Sequence, residues 1–311
     1  ACLGQRVGNQ FSELPFLVKV LSVRSALSIQ CHPDADLAKE LHRRAPAQYP
    51  DDRPKPELAI ALSEVRLLYG LRPPDEIRAG LVAIPELTLL CQAGGYGTGD
   101  VIRDTVEAVL RAPEDRIRQA CTRLGTRLQE KDERSAEEQL AVELQQEFPE
   151  GDPGVFFPFL LNLVTLAPGA AIFIAPNEPH AYLSGDLFEC LANSDNVVRA
   201  ALTTKFKDVD TLLSMLTYQS RPFQELLQNE GRYRTPCSEF QVERIRTAAE
   251  YVPSGPEILL AVDARGRIVC GAQTLAVTPG FAAFIPAAVE RYSVDVEVGE
   301  VFRVVVPEGI Q

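Results

Sequence analysis

Histidine is scarce in this chain. It occurs at positions 32, 42 and 180 of 311 residues and is missing from the last third. Any histidine-based metal or acid–base centre must therefore be built from the first two-thirds. Tryptophan is absent altogether. The seven cysteines (Cys2, Cys31, Cys91, Cys121, Cys190, Cys237, Cys270) are scattered singly, odd in number and without CxxC spacing. That excludes a disulfide framework or a cysteine-type zinc site and fits reduced, mostly buried thiols in a cytoplasmic protein. There is no excess of basic residues: 31 Lys and Arg face 43 Asp and Glu, a net charge of -12. Nucleic acid is thereby excluded as a partner, whereas a small anionic substrate needs only a local cluster of cations. No uninterrupted apolar run is long enough to suggest a membrane span. The longest uncharged stretch, 153–177, is broken by four prolines and two glycines and reads as strands and turns. The N-terminus lacks a basic region followed by an apolar run, so no signal peptide is visible. It begins at Ala1 rather than Met, which reads as a processed or cut end.

With 46% hydrophobic residues, the length supports two or three compact units. Residues 14–23 form a β-rich run whose single charge is Lys19. In Leu27–Pro33, apolar Leu27, Ile29 and Cys31 alternate with polar Ser28, Gln30 and His32. Alternation places the three polar groups on one strand face, and Pro33 ends the strand. Asp34 is positioned to cap a helix over 35–44, where His42 reads as a solvated helix residue. A Pro-rich loop then delivers Lys55 and Glu57 into a strand, with Glu57 on the face of small Ala59 and Ala61. Residues 64–70 form a further strand.

From Pro73 to about Phe148 the period becomes helical, beginning with a Pro-Pro-Asp-Glu start signal. The glycine-rich stretch 94–99 lacks a Gly-Lys-Ser/Thr ending and a preceding strand, so it does not read as a nucleotide loop. Residues 151–200 return to strands. Asn177–His180 is expected as a loop, and 188–191 as a separate short strand. A helix follows at 208–216, and the remainder is strand-rich. The segments 167–182 and 278–292 echo each other: a Pro-Gly turn, an apolar strand, a proline and a closing tyrosine. Two similar β-barrels are expected, of which only the first carries a histidine at this point. The fold class is thus mainly β with an α-helical insertion.

Setting His42 aside, His32 and His180 remain. Two histidines with the Glu57 carboxylate and the Gln30 side-chain oxygen form a plausible divalent metal set. With a dication the set keeps one net positive charge, so the ion stays Lewis acidic. Lys55, two residues before Glu57, points the same way on an extended chain. With Lys19, Arg199 and Lys205 it suggests an anion site suited to a phosphorylated sugar.

The blocks LPFLVKVLSV, LSIQCHPD, KPELAIAL, NEPHAYLSGD and ECLANSDNVVRAALTTKFKDVDTL resemble the type I phosphomannose isomerase family, in that family's order. The resemblance implies two cupin-like (jelly-roll) barrels: a metal-binding one from 1–70 and 152–207, a helical domain over 71–151, and a metal-free one over 208–311. It implies one zinc on Gln30, His32, Glu57 and His180, with Arg199 catalytic and Lys19, Ser28, Lys55, Tyr182, Glu189, Asp195 and Lys205 lining the pocket. The implied activity is interconversion of mannose 6-phosphate and fructose 6-phosphate through a metal-polarised enediolate, feeding GDP-mannose synthesis in the cytoplasm. A monomer is the default expectation. The proton-transfer base stays open among Lys55, Glu189 and an acid outside this sequence. Ala201 and Thr204 stand where the family usually has Gly and Pro. The family's N-terminal strands, with a Trp-Gly pair, have no match in residues 1–13. A chain without them is expected to expose an unpaired edge and lose part of its pocket wall. The alternatives are a weakly active or inactive metal and sugar-phosphate binding protein, or an isomerase of another phosphosugar.

Overall fold

The computed structural model describes residues 2–95, 98–220 and 231–308. Tyr96 and Gly97 of the glycine-rich stretch lie outside the described residues. In chain order, helix α1 (Gly4–Gln10) precedes strands β1 (Phe16–Val23) and β2 (Ile29–Cys31). Next come α2 (Ala35–Arg44), β3 (Glu57–Ala61) and β4 (Val65–Leu71). Five helices follow: α3 (Pro74–Ala83), α4 (Pro85–Gly94), α5 (Val101–Leu110), α6 (Glu114–Gln129) and α7 (Ala136–Glu147). A 3-10 helix (Pro153–Phe159) leads to β5 (Leu161–Leu166), β6 (Ala171–Ile174), β7 (His180–Ala192), β8 (Val198–Ala201) and α8 (Val209–Met215). The C-terminal strands are β9 (Arg232–Tyr233), β10 (Gln241–Ile245), β11 (Ala249–Tyr251), β12 (Glu257–Ala261) and β13 (Arg265–Cys270). They continue with β14 (Gln273–Val277), β15 (Ala282–Ile285), β16 (Tyr292–Val298) and β17 (Val301–Val305). The chain is mainly antiparallel β with helices inserted between β4 and β5. No single described helix is long and apolar enough to cross a membrane.

Strand β7 organises the first eight strands. Its first half pairs with β2 and β4, its second half with β1 and β3. The sequence suggested a loop over 177–180 and a separate short strand at 188–191; residues 177–179 lie outside strands, but His180 opens one 13-residue strand that continues through 188–191. Gly185 makes this possible. Its φ is +107°, and a Cβ there would lie 2.3 Å from the Glu64 carbonyl oxygen. The strand bends at this residue from one sheet into the other, a turn that a side chain would obstruct.

Strand alternation then sorts side chains into three layers. Leu67, Tyr69, Tyr182, Ala59, Ala61 and Leu187 face inward between the two sheet halves. Ile29, Cys31, Leu68, Ala181 and Leu183 face outward and pack with the helices. Leu58, Ile60, Phe188 and Cys190 face outward on the other side, against Val242, Phe302 and Val304 of the C-terminal sheet. Phe188 stacks on Phe302 with ring centroids 4.4 Å apart. Helix α1, which the sequence did not suggest, adds buried Val7 to this layer, and Arg6 donates to the carbonyls of Val306 and Pro307. Strand β1 pairs with β7 and with no other described strand; Leu17 and Val20 on it are exposed.

The sequence echo has a structural counterpart. Gly169 N–H donates to Ala61 O and Ala61 N–H to Ala170 O; Gly280 N–H donates to Ala261 O and Ala261 N–H to Phe281 O. Register places Glu57 opposite Ile174 and Glu257 opposite Ile285. Glu257 therefore stands in the C-terminal strands where Glu57 stands in the first set.

Gly185→Ala is expected to destabilise the protein by about 1–3 kcal/mol, the strain of a non-glycine residue in a conformation its backbone rejects. Urea denaturation measures it; wild-type stability would show that the bend does not depend on glycine.

Candidate metal centre

Four segments bring the centre together. Gln30 on β2 lies opposite His180, the first residue of β7, and opposite Arg199 on β8. His32 follows β2 directly and is fixed by the turn into α2, where Asp34 accepts from the N–H groups of Asp36 and Leu37. Asn177, at φ +63°, donates its N–H to the His32 carbonyl and its side-chain amide to Asp34. Glu57 opens β3, on the inward face with Ala59 and Ala61. The small residues expected on this face, Ala59 and Ala61, share it with Glu57.

His32 and His180 are fully buried and Glu57 is 2% exposed. His32 Nδ1 lies 2.8 Å from the Asn196 carbonyl oxygen and His180 Nδ1 lies 3.0 Å from that of Glu178. A carbonyl only accepts, so each Nδ1 carries the proton and each Nε2 presents a lone pair. Those lone pairs point at a carboxylate: His32 Nε2 is 3.1 Å from Glu57 Oε1 and His180 Nε2 is 3.7 Å from Oε2. One ligand atom from each of the three residues falls within 4.8 Å of the others. His32 Nε2 and Glu57 Oε2 are buried without a hydrogen-bond donor. Buried acceptors facing one another are costly unless a cation lies among them. The donor set, two imidazoles and a carboxylate, fits a divalent metal ion.

Gln30 sits at the edge of this group. Its Nε2 is 3.3 Å from His180 Nε2, and its Oε1 accepts from the Ser28 hydroxyl at 3.0 Å. Rotating the amide by half a turn turns the oxygen toward the centre. Ser28 then accepts from the amide instead of donating to it.

The charges around the group are graded. Burial opposes the Glu57 charge, but His32, Lys55 and His180 together hold its carboxyl well below the usual carboxylate range. Lys55 Nζ stands 3.3 Å from Glu57 Oε1. Burial, with His32 beside it, lowers His180 to about 4, so its imidazole is neutral at pH 7. Glu189 pairs with Lys19 at 2.7 Å, yet burial and the Glu57 charge push it up to about 7. Burial, then Glu189 and Glu57, raise the Tyr182 phenol. Burial lowers Arg199, and no described carboxylate pairs with it.

Gln30, Ser28, His32, Glu57, His180, Lys55, Glu189, Lys19, Tyr182 and Arg199 thus share the inward face or its rim. Asp195 and Lys205 are both exposed; the Asp195 N–H donates to Asp51 at 2.8 Å, and Lys205 lies in the turn after β8. His42 is half-buried, with Nδ1 2.8 Å from the Tyr49 carbonyl, and is separate from the centre. The sequence reading missed Asn196, Glu178 and Asp51. Two of them act through backbone carbonyls, which carry no residue-type signal.

The sequence model described as phosphomannose isomerase type I, catalytic domain, matches residues 1–74. Mannose-6-phosphate isomerase 2 of Arabidopsis thaliana is 37% identical over 319 residues, covering 93% of this chain and 71% of that protein. The chain belongs to the type I phosphomannose isomerase family. Another member, a probable mannose-6-phosphate isomerase of Dictyostelium discoideum, is 42% identical over 277 residues, covering 82% of this chain and 60% of the relative. The chain thus spans roughly two-thirds of these two relatives' lengths. Among solved structures of the family, a zinc-bound mannose 6-phosphate isomerase superposes with a TM-score of 0.89 at 27% identity, covering 98% of this chain and 82% of that one. The apo form of the Salmonella typhimurium enzyme gives a TM-score of 0.88 at the same identity, covering 98% and 83%.

Glu189 provides a pH test. Its folded pKa is raised, so its contribution to stability is complete below the unfolded carboxylate value and is lost as pH rises through about 7. In chelator-treated protein, the stability of Glu189→Gln relative to wild type should increase between about pH 5 and pH 7.5. A difference independent of pH would contradict the buried, protonated carboxyl.

Proposed function

We propose that this chain is a zinc-dependent aldose–ketose isomerase that interconverts mannose 6-phosphate and fructose 6-phosphate in the cytoplasm. The observation that carries the proposal is the juxtaposition of buried lone pairs on His32, Glu57 and His180 with Arg199, a half-buried cation that pairs with no described carboxylate. The zinc-bound relative and the relatives' names support the same reading. The strands before and after the helices are read as two cupin-like barrels, the first over 1–70 and 152–207, the second over 208–311. Residues 71–151 form the helical domain between the halves of the first.

His32, Glu57, His180 and Gln30 would hold the ion. When bound, it supplies Lewis acidity toward the oxygens of an opened sugar. The rest of the reaction falls to side chains. Isomerisation removes a proton alpha to a carbonyl and returns it to the neighbouring carbon, and charge builds on the substrate oxygens meanwhile. Arg199, on the same strand face as Gln30, is assigned the stabilisation of that charge. The base is assigned to Lys55, Glu189 or an acid outside this sequence; the first two are titratable groups flanking the centre. Glu189 sits near the pKa at which one residue can both take and return a proton. Lys19 fixes the Glu189 carboxylate from the opposite strand. Tyr182 and Asp195 are read as pocket-lining groups, and the phosphate is assigned to some of Arg199, Lys205 and Ser28.

The test is a coupled assay for fructose 6-phosphate from mannose 6-phosphate, with and without chelator. Activity should vanish with chelator and return with zinc. Arg199→Ala should lower kcat by about 100-fold or more while zinc content stays unchanged. Turnover unaffected by chelator would sink the zinc assignment, and undiminished turnover in Arg199→Ala would remove Arg199 from the chemistry. An inactive wild-type chain that still binds zinc and sugar phosphate would favour the non-catalytic reading.

A further inference from the structure

We infer that Asp51 is a positioning residue for the metal centre, acting through the carbonyl that orients His32. The inference rests on the metal reading above but concerns a residue outside the donor set. Asp51 lies in the loop between α2 and β3, with its side chain 15% exposed. Both carboxylate oxygens are engaged. Oδ1 accepts from the Ser194 hydroxyl at 2.8 Å, the Asn196 amide at 3.1 Å and the Arg53 N–H at 3.1 Å; Oδ2 accepts from the Asp195 N–H at 2.8 Å. The Asp51 carbonyl accepts from the same Asn196 amide at 2.7 Å. The Arg53 carbonyl takes further bonds from Ser194 and Asn196, each at 3.1 Å.

Three consecutive residues, 194–196, are therefore lashed to one carboxylate. Their contribution to the centre is a main-chain atom: the fully buried Asn196 carbonyl accepts the Nδ1 proton of His32 at 2.8 Å. That bond selects the tautomer in which Nε2 is free to ligate and sets the plane of the ring. A carbonyl is only as well aimed as the backbone that carries it. Here the turn contains no regular structure, and β8 with Arg199 begins just beyond it. Asp51 supplies the anchor that a helix or sheet would otherwise provide. One carboxylate thus fixes the orientation of a metal ligand and the entry of the strand carrying the proposed catalytic arginine.

The experiment measures the zinc dissociation constant by competition with a chromophoric chelator. It compares wild type, Asp51→Asn, Asp51→Ala and His32→Ala, with Asp51→Asn also made in the His32→Ala background. Circular dichroism reports folding. Asp51→Ala should weaken zinc binding about 10- to 100-fold, the usual cost of losing a ligand's orienting partner. Asp51→Asn keeps Oδ1 as an acceptor but cannot accept the Asp195 N–H, so it should fall between. If Asp51→Ala fails to fold, Asp51→Asn decides. In the His32→Ala background Asp51→Asn should add little, because the ligand it positions is gone. Zinc affinity within about twofold of wild type for the folded Asp51 variants would overturn the inference while leaving the metal reading intact. An equal loss with and without His32 would also overturn it, since the effect would then be general destabilisation. A wild-type chain that does not bind zinc would overturn both.

Discussion

Lone pairs facing lone pairs in a dry interior are the constraint on which the rest of this structure depends. Two imidazoles are tautomerically fixed by main-chain carbonyls, and both face one carboxylate. Such an arrangement repels itself unless positive charge enters. Lys55 supplies part of it at the rim, and a divalent ion would supply the remainder. The surrounding fold holds this group against its tendency to separate. Strand β7 carries His180 at one end and Glu189 near the other, and its bend at Gly185 lets both serve one interior. Helices brace one outer face and the C-terminal sheet the other.

The C-terminal strands show another solution to the same electrostatic problem. Glu257 occupies the place of Glu57, but register puts Arg303 where Glu189 stands and Glu243 where Lys19 stands. The charges of that cross-strand pair are inverted. The Arg303 guanidinium binds both Glu257 oxygens, at 2.6 and 2.8 Å, lies 4.1 Å from the Tyr251 ring and also pairs with Glu243. Tyr292 donates to Glu257 at 2.5 Å. A covalently attached cation thus satisfies the buried acid. The scarcity of histidine in this half follows the same logic, since no imidazole is needed where the counter-charge is built in.

Much of the centre was legible from the sequence. Period-two alternation in Leu27–Pro33 placed Gln30 and His32 on one face, and the spacing of Glu57, Ala59 and Ala61 placed the acid opposite small residues. The Pro-Gly echo anticipated paired hydrogen-bonded turns. Leu27, read as part of the strand's apolar face, is 40% exposed, because β2 begins only at Ile29. The joining of 180–192 into one strand was hidden because Ser184, Gly185 and Asp186 have turn composition. Only the close approach of the Glu64 carbonyl shows what the glycine is for. Helix α1 was missed because seven residues with a single buried apolar side chain leave almost no periodic signal. Asp51 was invisible for another reason: its partners in the 194–196 turn lie more than 140 positions away in sequence and include a main-chain N–H.

Zinc-edge X-ray absorption on the purified, zinc-loaded chain tests the central claim most directly, because it identifies the atoms around the ion without reference to turnover. The account predicts two imidazole nitrogens and oxygen donors at about 2.0–2.2 Å, with no sulfur. Cys31 lies between Gln30 and His32 in sequence but packs outward among the helices, where burial raises its thiol well above the ordinary value. A sulfur shell at about 2.3 Å, or a spectrum without two imidazoles, would contradict the account.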